Sequence, residues 1–237
     1  MITMIKNLFK TKPTVYFTSD LHFGHRNVIN YCNRPYKDIE EMHKGLITIW
    51  NNTVKQGDTV YVLGDFSLNP KWSGQMLPLL KGNKILIPGN HDACFNFPPK
   101  ENTTHAIEGA KRRHDKMLER YIKDGWKSIH QTLTYTLKDG RTVLLSHLPY
   151  NTEEGREYDQ RYLDLRPKDE GMFLLCGHLH GKFIKNINMI DVGIDAHDLQ
   201  LVSEDDIIRL INDDREYIPS SLTEWYEKNR NNKSKEY

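Results

Sequence analysis

The stretch from Thr14 to His22 reads TVYFTSDLH, a β-branched and aromatic run that ends in a carboxylate and an imidazole. Such a run suits a strand, and it delivers Asp20 and His22 just past the strand's carboxyl end. The same grammar recurs along the chain. Thr59 to Leu63 precedes Gly64-Asp65, Lys84 to Ile87 precedes Gly89-Asn90-His91-Asp92, Arg141 to Leu145 precedes Ser146-His147, and Phe173 to Cys176 precedes Gly177-His178-Leu179-His180. Ligands of α/β sheets gather at the carboxyl ends of strands, so these segments are expected to meet in one site.

Between the strands the period changes. From Asp38 onward Ile39, Met42, Leu46, Ile49 and Trp50 share a helical face, with Asp38 and Glu41 as a capping box and an end near Asn51-Asn52. Residues 95–125 read as an insertion beside the site, a proline-rich loop followed by a helix over 106–123. Ile129 to Leu137 and Arg141 to Leu145 flank Asp139-Gly140, a hairpin signal. Met189 to Ile194 completes the core strands, and Ser203 caps a short helix. Alternating strands and helices give way to consecutive strands, which predicts two sheets packed face to face and covered by helices. The expected organisation is one domain over 1–212 and a C-terminal helix and polar tail over 213–237, disordered from Asn229.

Thirty-three lysines and arginines against 32 aspartates and glutamates leave a formal charge of +1, so no overall field draws the protein to nucleic acid or an anionic membrane. Cys32, Cys94 and Cys176 form no C-x-x-C pair, which fits a reducing compartment. Neither a signal-like start nor a run of about 18 apolar residues is present. A soluble cytoplasmic protein is expected.

The donors at the strand ends are hard oxygens and imidazole nitrogens. Two cations roughly 3.5–4 Å apart can clamp a phosphoryl group, polarise it and generate hydroxide from water, and a pair that close needs a bridging carboxylate. Asp65 is the natural bridge, with one oxygen for each ion. Asp20, His22 and one imidazole of the GHLHG turn can complete one ion; Asn90, His147 and the other imidazole can complete the second. Manganese is the first expectation, with iron, zinc or nickel as alternatives. His91, next to Asn90, is placed to protonate a leaving oxygen, with Asp92 orienting its ring. Taken singly these residues have ordinary structural uses, as turn formers or core histidines. Their order after apolar runs favours one joint site.

The order D-x-H, GD, GNHD, H and GHLH resembles the calcineurin-like metallophosphoesterases. The resemblance implies a four-layer αββα sandwich of two mixed sheets flanked by helices, and a dinuclear site. It assigns Asp20, His22, Asp65 and His180 to the first ion and Asp65, Asn90, His147 and His178 to the second, with His91 as the catalytic histidine. Asp191 stands where relatives often have asparagine. The stretch Ser19 to Tyr36 is similar to a bacterial and phage-type subgroup with a G-H-x-N loop, which makes His25, Arg26, Asn27 and Arg34 candidate substrate contacts. Arg112 and Arg113 on the inserted helix and Tyr150 near His147 are further candidates. The expected function is hydrolysis of a small phosphodiester or nucleotide by hydroxide held mainly at Asp65. Alternatives are a phosphomonoesterase, a single-strand nuclease, for which a basic groove with aromatics would be needed, and a non-catalytic binding scaffold of the same fold.

Overall fold

The computed structural model describes residues 12–215. In chain order the elements are β1 (Val15–Thr18), α1 (Val28–Tyr31), α2 (Ile39–Thr53), β2 (Thr59–Val62), α3 (Pro70–Met76), β3 (Asn83–Leu86), α4 (Thr104–Asp124), β4 (Ser128–Ile129), β5 (Leu133–Thr136), β6 (Thr142–Leu145), α5 (Glu153–Tyr158), β7 (Phe173–Cys176), β8 (Lys185–Asn186), β9 (Met189–Asp191), β10 (Val202–Ser203) and α6 (Glu204–Asn212). They form two five-stranded mixed sheets, ordered β10-β1-β2-β3-β4 and β5-β6-β7-β9-β8. The first is parallel except for β10, which runs antiparallel to β1. In the second, β6, β7 and β9 are parallel and the outer strands β5 and β8 antiparallel.

Side chains alternate across each strand, so both faces of the first sheet are apolar. Phe17, Leu63 and Ile87 point between the sheets and meet Val143, Leu145, Leu175, Ile190 and Val192, with Ile207 and Ile211 of α6 closing that core. Val60, Val62 and Leu86 point the other way, onto Met42, Leu46 and Trp50 of α2 and Tyr121 of α4. The Trp50 indole N–H reaches the Lys81 carbonyl at 3.0 Å, so its one polar group is satisfied. The outer face of the second sheet is covered by loop residues, Tyr150, Leu179 and Phe183, against Leu174, Cys176 and Met189.

Helix starts follow their caps. Asp38 accepts the Glu41 N–H at 2.8 Å, whereas the Glu41 carboxylate takes Lys37 N–H and leaves the box half made. Ser203 and Asp206 make a full capping box on α6. Two expectations need correction. Residues 95–125 are no insertion: α4 is the crossover between the parallel neighbours β3 and β4, with Tyr121 fully buried, because a parallel pair cannot be joined by a tight turn. The run from Ile129 to Leu137 also splits, Ser128–Ile129 joining the first sheet and Leu133–Thr136 the second, while the Asp139-Gly140 hairpin joins β5 to β6. The tail from residue 216 lies outside the described residues, as does most of the expected C-terminal helix. No described helix is long and apolar enough to cross a membrane.

Leu175 is fully buried between the sheets. Leu175→Ala should cost roughly 2–5 kcal/mol in urea denaturation; a loss below about 1 kcal/mol would show that the two sheets are not tightly packed there.

Candidate metal centre

Asp20 and His22 leave the end of β1, Asp65 the end of β2, Asn90 the end of β3, His147 the end of β6, and His178 with His180 the end of β7. Parallel pairing puts these ends on one rim, and short bonds tie the loops together. Asp20 N–H donates to Gly64 O at 3.0 Å and His22 N–H to Asp65 O at 2.9 Å. The Ser19 hydroxyl donates to Leu63 O at 2.7 Å. Asp20, His22, Asp65, His178 and His180 all have φ between 49° and 70°, the left-handed region that non-glycine residues rarely adopt. Such strain persists where the surrounding contacts over-determine it. At Gly89 a Cβ would come within 2.2 Å of Asp65 Oδ1, and at Gly177 within 1.9 Å of Ser19 Oγ, so only glycine lets the backbones approach.

The donor atoms fall into two sets around one carboxylate oxygen. Asp65 Oδ2 is 3.6 Å from His22 Nε2 on one side and 3.5 Å from His147 Nε2 on the other. Asp20 Oδ1 lies 3.7 Å from His22 Nε2 and 3.9 Å from His180 Nε2. On the second side Asn90 Oδ1 is 3.2 Å from His147 Nε2. Asp65 does not offer one oxygen to each side as expected: Oδ1 accepts the His91 backbone N–H at 2.8 Å, and Oδ2 is the oxygen that faces both sets.

The chemistry of this set fits divalent cations. Asp20 Oδ1 and both nitrogens of His22 are buried without a hydrogen-bond partner. Buried polar atoms are normally satisfied, and leaving one bare costs about 1–3 kcal/mol. His147 Nδ1 is 2.8 Å from Leu63 O, which directs the Nδ1 proton there and turns Nε2 toward Asp65 and Asn90. Three lone pairs therefore converge, and something positive must lie between them. In the protein alone that role falls to protons. Burial would lower the pKa of His180 and His147, but Asp20 and Asp195 raise the first, and Asp65 and Asp20 the second, above the ordinary imidazole value. Burial pushes the Asp20 and Asp65 carboxyls upward, and the surrounding imidazoles more than reverse it. His22, where desolvation prevails, falls to about 4.

Each imidazole of the GHLHG turn is held from behind by a carboxylate that sequence reasoning did not single out. Asp195 Oδ2 meets His180 Nδ1 at 2.8 Å and is itself gripped by Arg34, whose Nε and Nη2 reach its oxygens at 2.8 and 2.9 Å. Asp159 meets His178 Nε2 and is paired with Arg161 and Arg166. Such partners fix the tautomer and orientation of a ligating ring. His180 Nε2 and His178 Nδ1 are left for a cation. Asp159 belongs to no motif, and Asp195 ends the Val192-Gly193-Ile194-Asp195 run, which carries no sign of its partner. Asp191, buried and raised to about 7 by desolvation and the nearby Asp20, staples the turn by accepting from Gly181 and Gly193 N–H at 2.9 and 2.7 Å.

The substrate side opens as a cleft of about 730 Å³, lined among others by His25, His91, Arg161 and Lys182. His91 is at its mouth, its side chain 38% exposed and Nε2 4.0 Å from Asp65 Oδ2. Its ring meets those of His22 and His25 edge-on at 5.2 and 5.9 Å. Asp92 does not orient that ring; its Oδ2 accepts Gly89 N–H at 3.0 Å and closes the turn. Arg34 lines the cleft, and its guanidinium is committed to bracing: besides Asp195 it donates to Asp20 O and Leu21 O. Arg26 and Asn27 fall outside the cleft lining, Asn27 sitting at the start of α1. Tyr150 is core, its hydroxyl donating to Met172 O at 3.1 Å. Arg112 pairs with Glu108 on the exposed face of α4, and Arg113 lines a separate groove.

The model of the calcineurin-like phosphoesterase family matches residues 13–182. The chain belongs to that family. Metal-dependent phosphoester hydrolysis is the general activity that membership carries. Among relatives, the gene 66 protein of Mycobacterium phage L5 is 34% identical over 83% of this chain and 93% of its own length. An uncharacterised Methanocaldococcus jannaschii protein is 49% identical, but over 33% of this chain and only 46%, about half, of that protein. A crystal structure of an Aquifex aeolicus protein of unknown function superposes with a TM-score of 0.59 at 25% identity, covering 84% of this chain and all of that one.

Because ligating imidazoles must be neutral, bound cations would displace the protons held at His147 and His180. Manganese titrated calorimetrically in buffers of different ionisation enthalpy should therefore release protons near pH 7, with affinity weakening as pH falls. Binding without proton release and with no pH dependence between about 6 and 8 would contradict this assignment.

Proposed function

We propose that the protein is a dinuclear phosphodiesterase acting on a nucleotide-like ester, with manganese as the cation. The single observation behind this reading is Asp65 Oδ2, which stands 3.6 and 3.5 Å from imidazoles belonging to two donor sets. Asp20, His22, Asp65 and His180 would hold one cation and Asp65, Asn90, His147 and His178 the other. Two such cations supply charge for the phosphoryl oxygens and a nucleophile from water at neutral pH. The mixed carboxylate and imidazole donors, without a cysteine, favour manganese or iron over calcium.

His91 carries the proton. Its backbone is tied to Asp65, and its ring stands at the cleft mouth without occupying the donor cluster. As the bond between phosphorus and the leaving oxygen breaks, Nε2 gives its proton to that oxygen, and water restores it afterwards. His25, edge-on to both His22 and His91, lines the same mouth and contacts the leaving group. Its Nδ1 accepts Val28 N–H at 3.2 Å, which leaves Nε2 as the donor. A diester is preferred to a monoester because the open cleft extends beyond the donor cluster over apolar residues such as Val28, Tyr31 and Leu199. The intact donor set and His91 speak against a scaffold that has lost catalysis.

His91→Ala should retain two manganese ions per chain while kcat on bis-(p-nitrophenyl) phosphate falls about 10²–10⁴-fold. Undiminished turnover would remove His91 from the chemistry. Asp65→Asn should bind neither ion tightly by elemental analysis; two ions retained with full activity would defeat the bridging role.

A further inference from the structure

A second groove of about 820 Å³ lies between the loop that follows His91 and the first half of α4. That loop is pinned in place. Ala93 N–H donates to the Tyr121 hydroxyl at 3.2 Å, Asn96 N–H to Gln131 Oε1 at 3.1 Å, and Gln131 Nε2 to Cys94 O at 3.1 Å. It carries two phenyl rings, Phe95 and Phe97, with centroids 4.6 Å apart, and Phe97 is 42% exposed.

The rings do not stop at the groove. Phe97 is 6.0 Å from Tyr162, Tyr162 is 5.8 Å from His178, and His178 is 5.2 Å from His147. An unbroken file of aromatic rings thus runs from the second groove to the metal centre. Tyr162 links the two ends with a left-handed backbone, φ 57°, a conformation that an aromatic residue adopts rarely. Cations flank the file. The Arg161 guanidinium, paired with Asp159, lies 5.9 Å over the Tyr162 ring, and Lys100, Arg113 and Lys116 line the groove with one acidic residue, Glu101. A chain whose net charge is only +1 has gathered positive charge beside its exposed aromatics.

Aromatic platforms beside a basic groove are how single-stranded nucleic acid is held: bases stack on rings in any sequence, and phosphates pair with the cations. We propose that this file is a track for single-stranded nucleic acid leading into the metal centre, so that the scissile diester belongs to an oligonucleotide. The proposal rests on the phosphodiesterase reading above and names its substrate class. An apolar peptide segment would match the rings but not the cations. Duplex bases would be unavailable for stacking.

The test is fluorescence anisotropy with labelled oligothymidylates of two to about eight nucleotides, manganese, and full-length His91→Ala protein to suppress turnover. Affinity should tighten at least tenfold with length. For the longest oligomer, log Kd should rise with log salt by at least about 1.4, the slope for two neutralised phosphates on a single strand. Phe97→Ala and Arg113→Glu in that background, both at the surface and checked for an unchanged melting temperature, should weaken the octamer at least fivefold and spare the dinucleotide. Equal affinity at all lengths, indifference to both substitutions, or equal binding of a duplex overturns the track. Cleavage of bis-(p-nitrophenyl) phosphate by the unaltered protein is read in parallel. Absent cleavage with length-dependent binding keeps the track and removes the hydrolytic reading; cleavage with length-independent binding removes the track alone.

Discussion

Four buried groups, the carboxylates of Asp20 and Asp65 and the imidazoles of His22 and His147, face one another with lone pairs and almost no protein donors between them. In a medium that screens charge weakly, such a cluster is tolerable only when positive charge lies inside it. The rest of the architecture is arranged to hold it. Parallel strands bring their carboxyl ends to one rim, five donor residues sit in left-handed backbone, and glycines at 64, 89 and 177 let three loops approach within van der Waals limits.

The outer support matters as much as the donors. His180 is backed by Asp195 and Arg34, His178 by Asp159 with Arg161 and Arg166. Arg34 also bonds the backbone of Asp20 and Leu21, so one guanidinium couples the first motif to the last strand end. The Asp159 support comes from the segment that carries Tyr162. In that segment Arg161 both pairs with Asp159 and lines the cleft.

Much of this was legible in the chain. Strand-ending runs located the donors because β-branched and aromatic residues followed at once by Gly-Asp or Gly-Asn-His leave few other readings, and Asp38 and Ser203 marked helix starts through their caps. Residues 95–125 were misread because a crossover helix and an inserted one share the same 3.6-residue period; only the pairing of Ser128–Ile129 with β3 separates them. The roles of Asp195 and Asp159 were illegible since each acts on a residue 15 or more positions away. Asp92 and Tyr150 were taken for site residues by their proximity in sequence, yet both are buried and hydrogen-bonded elsewhere. Net charge is an average over the whole chain and says nothing of how Lys100, Arg113 and Lys116 are grouped along one groove.

Diffraction from manganese-loaded crystals, recorded on both sides of the manganese absorption edge, tests the central claim most directly. Two anomalous peaks about 3.5–4 Å apart, with Asp65 Oδ2 between them and His180 and His178 on opposite sides, are the predicted result. A single peak, or peaks that leave the Asp20 and Asp65 carboxylates uncoordinated, would contradict the account.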